Sequence, residues 1–152
     1  MTENKSLKTI EQSLEECGMA VTLTKGTSMW PLFKEGKNQV ILISAKERIP
    51  KNQDIVLYRA EDGRLILHRV MKVLPDGSFL LCGDHQWKLE EKVKKEQILA
   101  VAEEFYRKGK LIEENQIGYR LYKKIWNSSL AFRRCLLAFL RISKIEQYCL
   151  KR

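Results

Sequence analysis

The chain has 152 residues, 44% of them apolar, and a formal charge of +9. That length suits one domain with a sizeable core, and the composition excludes wholesale disorder. The charge is concentrated: residues 119–152 carry nine Lys/Arg against one Asp/Glu, whereas residues 1–118 carry 19 against 18. A protein-wide nucleic-acid face is therefore not implied.

The N-terminus, Met1-Thr2-Glu3-Asn4-Lys5, lacks an apolar core of signal-peptide length, and no run approaches the ~18 apolar residues of a membrane span. A cytoplasmic or peripheral membrane location is expected. Cys17, Cys82, Cys135 and Cys149 are widely separated, form no C-x-x-C pair and lie at no zinc-ligand spacing from the two histidines. They read as reduced, mostly packed thiols.

Residues 5–17 place Leu7, Ile10 and Leu14 three and four apart among charged residues, which predicts a short amphipathic helix ended by Gly18. Residues 19–24 alternate like a strand and lead into Gly26-Thr27-Ser28-Met29-Trp30-Pro31-Leu32-Phe33-Lys34-Glu35-Gly36. Gly26 permits positive φ, and Pro31 restricts both itself and Trp30. Such bracketing suits a serine held at a defined angle, although the same residues mark ordinary loops. Further strands are predicted at residues 39–44, 54–59, 64–74, 78–82 and 98–106, with turns at Pro50-Lys51-Asn52, Glu61-Asp62-Gly63, Pro75-Asp76-Gly77 and Lys108-Gly109-Lys110. This spacing argues for a compact, mainly antiparallel β domain over residues 1–118.

From Tyr119 the period becomes helical. Leu121, Ile125, Phe132, Leu136, Leu140 and Ile145 recur among Arg120, Lys123, Lys124, Arg133, Arg134, Arg141 and Lys144, with Tyr122 and Trp126 between them. Residues 119–152 thus read as a basic amphipathic tail. It suits either an anionic membrane surface or packing on the domain or a partner.

A serine hydroxyl is a weak nucleophile until a base removes its proton, and a carboxylate can hold an imidazole base in the right tautomer. Ser28 on its turn, His68 within Leu65-Ile66-Leu67-His68-Arg69-Val70, and Asp84 after Gly83 supply one of each type. Spacing alone does not bring the three together, and a lone strand histidine is more often structural.

The order Ser28-Met29-x-Pro31, Asp54-Ile55-Val56, His68-Arg69-Val70, Gly83-Asp84 resembles the signal peptidase I group. More broadly it resembles the S24/S26 serine peptidase superfamily, which includes LexA-type repressors. The resemblance runs from Gly26 to Asp84, with residues 98–106 completing the domain. It implies a coiled, mainly β fold and a serine endopeptidase with Ser28 as nucleophile. His68 would be the general base, as in the endoplasmic-reticulum type rather than the lysine type, and Asp84 the third member. The Ser28 N–H would help stabilise the oxyanion, the substrate would be an extended peptide, and no metal or cofactor is implied.

The chain departs from the pattern in four places. Gly26 stands where a small hydroxyl residue is common, Lys37-Asn38 follows Gly36 in place of an acidic residue, and His85-Gln86 follows Asp84 where asparagine is common. The spanning anchor of signal peptidases is missing. His85 is thereby a competitor for the base role. The alternatives are a binding or regulatory module that has lost efficient catalysis, acting at a membrane surface, and self-processing, which the histidine base and the absence of an Ala-Gly pair disfavour. An imidazole base also implies activity rising through pH ~6–7.5.

Overall fold

The computed structural model describes residues 8–149. Helix α1 (Ile10–Cys17) opens on a capping box, in which Thr9 Oγ1 accepts from the Gln12 N–H and Gln12 Oε1 accepts from the Thr9 N–H. It closes at Gly18, whose φ of 67° suits a left-handed cap. Leu14 anchors it in the core. Residues 5–7 of the expected helix, Leu7 among them, lie outside the described residues.

Eight strands follow: β1 (Met19–Leu23), β2 (Gln39–Ser44), β3 (Ile55–Arg59), β4 (Leu65–Val73), β5 (Phe79–Cys82), β6 (Glu90–Val93), β7 (Ile98–Arg107) and β8 (Lys110–Glu113). They form one antiparallel sheet in the order β1-β2-β7-β3-β4-β5-β6. The long β7 pairs with β3 through its first half and with β8 through its second. Register shifts interrupt the β2–β7, β3–β7, β4–β5 and β5–β6 pairings. Such bulges bend a strand and increase its twist, so the sheet coils around its own core.

The mainly β expectation holds, with two strands added. The β6 sequence Glu90-Glu91-Lys92-Val93 carries no apolar alternation, and it becomes a strand by pairing with β5. The β8 strand returns from Lys108-Gly109, both at positive φ, the two-residue turn that matches strand twist.

Strand β3 is covered on both faces. Ile55 and Leu57 point into a cluster with Leu14, Met29, Phe33 and Phe105, while Val56 and Tyr58 point into a second with Val70, Leu81 and Val101. The expected tail helix is broken into α2 (Ile117–Trp126) and α3 (Leu130–Cys149). Among the described side chains of these helices, Lys123, Trp126, Arg133 and Leu137 are buried, whereas Leu121, Ile125 and Phe132 are exposed. Of the expected apolar stripe, Leu121, Ile125 and Phe132 therefore face outward, while Leu136 and Leu140 are half-buried. The side chains of Arg141, Lys144 and Ile145 lie outside the described residues. Tyr119 and Tyr122 pack against the first cluster, so α2 belongs to the domain, and the boundary at 118/119 does not separate two independently packed units. Among the described residues no helix is long and apolar enough to cross a membrane. Of the cysteines, Cys82 is packed as expected, while Cys17 and Cys135 are exposed.

Candidate active site

Ser28 sits on the long connection between β1 and β2. Met29, Leu32 and Phe33 plug that connection into the core, and its ends are tied together by backbone and side-chain bonds. Gly36 N–H donates to Thr24 O at 2.8 Å, Thr24 Oγ1 to Lys34 O at 2.9 Å, and Lys34 N–H to Asn38 Oδ1 at 2.7 Å. Gly26 adopts φ 73° and donates its N–H to Glu35. The Trp30–Pro31 peptide is cis. The serine is thus on a braced turn, half-buried, at the wall of a cleft of about 600 Å³.

His68 lines the same cleft from β4. In the β3–β4 pairing it stands opposite Val56, while Tyr58 stands opposite Ile66. Tyr58 and His68 are therefore diagonal neighbours on one face, and the phenol oxygen lies 3.4 Å from Nδ1 of the ring. Glu90, at the start of β6, places Oε1 3.4 Å from the same nitrogen and accepts a hydrogen bond from the Tyr58 hydroxyl.

The opposite ring nitrogen, Nε2, faces the turn that follows β5. A Cβ built on Gly83 would lie 3.1 Å from Nε2 and 2.5 Å from the carbonyl oxygen of Ser28. Only glycine fits between the strand histidine and the serine turn. The contact is locked by His85 N–H donating to Ser28 O at 2.7 Å and Gln86 N–H donating to Gly83 O at 2.9 Å. Gly83, the Ser28 main-chain carbonyl and His68 Nε2 therefore converge, although 40 residues separate Ser28 from His68 along the chain.

Asp84 does not hold the imidazole. Its carboxylate accepts from Arg69 through Nε at 2.8 Å and Nη2 at 2.7 Å, and from the Tyr122 hydroxyl at 2.9 Å. The reason is strand parity: His68 and Arg69 are consecutive on β4 and point to opposite faces. Asp84 is drawn to the face of Arg69, where neither side chain has any exposed surface. The carboxylate near Nδ1 is that of Glu90, while Asp84 acts on His68 only through its charge.

His68 is 2% exposed. Burial lowers its pKa from the ordinary 6.5 to about 4, with the Asp84 charge pulling weakly the other way. At neutral pH the ring is therefore uncharged and able to accept a proton. Burial raises the Glu90 carboxyl. For Arg69 burial opposes the charge, but the Asp84 carboxylate outweighs it and the guanidinium is held more firmly protonated than usual.

The other histidine has a different place. The His85 ring packs on Trp30 with centroids 5.1 Å apart and lines a separate surface hollow with residues 86–90.

The tail reaches the site through the turn after β5. Trp126 Nε1 donates to Asp84 O at 2.8 Å, and Arg133, 1% exposed, donates through Nη1 to Gly83 O at 3.1 Å and Gln86 O at 3.3 Å. Lys123 bonds Glu114 at 3.0 Å, fastening α2 to the chain just after β8. Sequence reasoning missed Glu90, Tyr58 and Arg133. Tyr58 is two residues from the strand position opposite His68, and the alternation of β3 was its only available signal. Arg133 is one of several basic residues of the tail, and nothing in the charged stretch around Glu90 singles that acid out.

No known protein family, characterised protein or solved structure matches this chain.

Proposed function

We propose that the chain is a serine endopeptidase with a coiled β fold like that of signal peptidases and LexA-type proteins. In this reading Ser28 is the nucleophile and His68 the general base. The observation that carries it is the meeting of the Ser28 turn, the bare Gly83 and Nε2 of a buried, neutral histidine at the wall of one cleft. A solvent-exposed structural histidine would need no such arrangement, and a loop serine would need no brace.

The reaction is acyl transfer. Ser28 Oγ attacks the scissile carbonyl carbon as its proton passes to His68 Nε2, forming a tetrahedral intermediate. The Ser28 N–H is the oxyanion donor in this scheme, and one well-aimed donor contributes about 3–4 kcal/mol. The imidazolium then protonates the departing amine, and the acyl-enzyme is hydrolysed by water that His68 deprotonates. The substrate is a peptide segment in extended form, entering the cleft between β1 and β4, whose residues 22–25 and 64–68 form its walls.

The outer face of the tail supports attachment to an anionic membrane surface. Ile117 is 83%, Leu121 56% and Phe139 66% exposed, and Arg120, Lys124 and Arg134 are exposed beside them. Apolar residues interleaved with fixed positive charge suit a headgroup layer.

The test is proteolysis of a peptide library by wild type, Ser28→Ala and His68→Ala, with mass spectrometry of products and trapping by a serine-directed phosphonate. Cleavage lost in both variants and phosphonylation of Ser28 are expected. Equal product from wild type and Ser28→Ala overturns the reading.

A further inference from the structure

Resting on the peptidase reading, we infer that Tyr58 and Glu90 together orient His68 and decide which ring nitrogen is its base. The argument follows the hydrogens. An ionised carboxylate only accepts, so the hydrogen bond between Tyr58 and Glu90 must use the phenol hydrogen. The Tyr58 oxygen then presents lone pairs alone to Nδ1, at 3.4 Å. Glu90 Oε1 presents lone pairs to the same nitrogen at 3.4 Å. Two acceptors at one ring nitrogen favour a hydrogen on it and repel a third lone pair.

The neutral ring therefore carries its proton on Nδ1. Nε2 keeps the lone pair, and Nε2 is the nitrogen beside Gly83 and the Ser28 turn. When Nε2 takes the Ser28 proton, the ring gains a positive charge and the nearest carboxylate oxygen is that of Glu90. Tyr58 and Glu90 keep their own protonation states throughout, so in the attack step the only proton that moves is that of Ser28. Asp84 cannot take this part, because both of its oxygens accept from Arg69 and one also accepts from Tyr122.

The pair is also placed by the fold in a way that suits positioning. Tyr58 is 1% exposed and held on the central strand β3. Glu90 opens β6 opposite Leu81 and itself lines the cleft, and its side chain is 38% exposed. One partner is rigid and the other has room to tighten onto Nδ1 when substrate excludes water. Both are positioning residues: they act on the peptide bond through His68.

The test is the tautomer of the His68 ring, read by long-range proton–nitrogen correlation on full-length, nitrogen-labelled protein at neutral pH. Wild type and Ser28→Ala should both show a protonated Nδ1 and a bare Nε2. Glu90→Gln keeps the shape but brings amide hydrogens, and should move the proton to Nε2. Tyr58→Phe removes one acceptor and should give a mixture. In peptide cleavage Glu90→Gln should lower kcat by on the order of 10²- to 10⁴-fold with little change in KM. An unchanged tautomer in both variants overturns the inference. A loss of kcat with the tautomer unchanged also overturns it, since Glu90 would then be touching substrate. Should the wild type cleave nothing, the peptidase reading fails while the spectra still decide the ring; should Glu90→Gln not fold, Tyr58→Phe carries the decision alone.

Discussion

The Arg69 guanidinium grips the Asp84 carboxylate with two parallel hydrogen bonds of 2.8 and 2.7 Å, and neither side chain has any exposed surface. Removing one partner of such a pair leaves an uncompensated buried charge, at a cost of about 3–5 kcal/mol. Asp84→Ala should therefore lower the urea midpoint severely, with catalytic loss following from unfolding. Glu90→Gln should melt like the wild type. A stable, merely inactive Asp84→Ala would return Asp84 to the catalytic group.

Gly83→Ala is a sharper probe of the site than of the fold. Its Cβ would meet the Ser28 carbonyl at 2.5 Å, a distance that forces backbone to move. Overpacking of this kind costs about 1–3 kcal/mol. It should also displace Ser28 from Nε2, so cleavage should fall more than stability does. The comparison is kcat/KM against the denaturation midpoint, and wild-type kcat/KM in this variant would mean that the turn and the histidine do not cooperate.

The low pKa of His68 has two consequences for pH. Catalysis requires the neutral ring, so cleavage should already be near its plateau at pH 6, with an ascending limb near 4. A pH–rate profile of kcat/KM reads this directly, and a limb at 6.5 would place a different group, or an exposed ring, in the base role.

Stability shifts in the same window. The folded pKa of His68, about 4, lies below the unfolded value near 6.5, so the unfolded chain binds the proton more readily. The contribution is therefore complete above ~6.5 and lost as pH falls towards 4, up to about 3 kcal/mol. Denaturation of wild type and His68→Gln from pH 7.5 to 4.5 isolates it, because the remaining carboxylates are common to both. The wild type should lose more stability over that interval, and parallel curves would contradict the assignment.

The outer face of the tail is tested on the whole chain, because α2 supplies Tyr122 and Trp126 to Asp84. Wild type should sediment with anionic vesicles at low salt and release as salt rises, since each nearby Lys or Arg contributes about 1 kcal/mol. Leu121→Gln with Phe132→Gln, both at exposed positions, should weaken binding without lowering stability. Wild-type protein that ignores anionic vesicles at low salt would exclude the attachment. Truncation after residue 118, by contrast, should destabilise the domain.

What the chain determines locally was readable in it. Gly18 marks the end of α1, period-two runs mark six of the eight strands, and Gly26 and Pro31 mark the braced serine turn, whereas the start of α1 at the Thr9 cap lies inside the 5–17 span expected to be helical. These are short-range signals, set by backbone preference and by which side of a strand or helix is apolar. The presence of Ser28, His68 and Asp84, and the basic charge of the tail, were likewise legible. Their partnerships were not. Strand alternation already puts His68 and Arg69 on opposite faces, but which face receives Asp84 depends on how the turn after β5 folds back, and on Tyr122 arriving from α2. Glu90 becomes the acid at the ring only because β6 pairs with β5 and sets it opposite Leu81. The tail shows the same division: Trp126 and Arg133 are taken in where the carbonyls of Gly83, Asp84 and Gln86 need donors. Local pattern chose the elements, while strand register and the demands of buried polar groups, both set by residues remote in the chain, chose the partners.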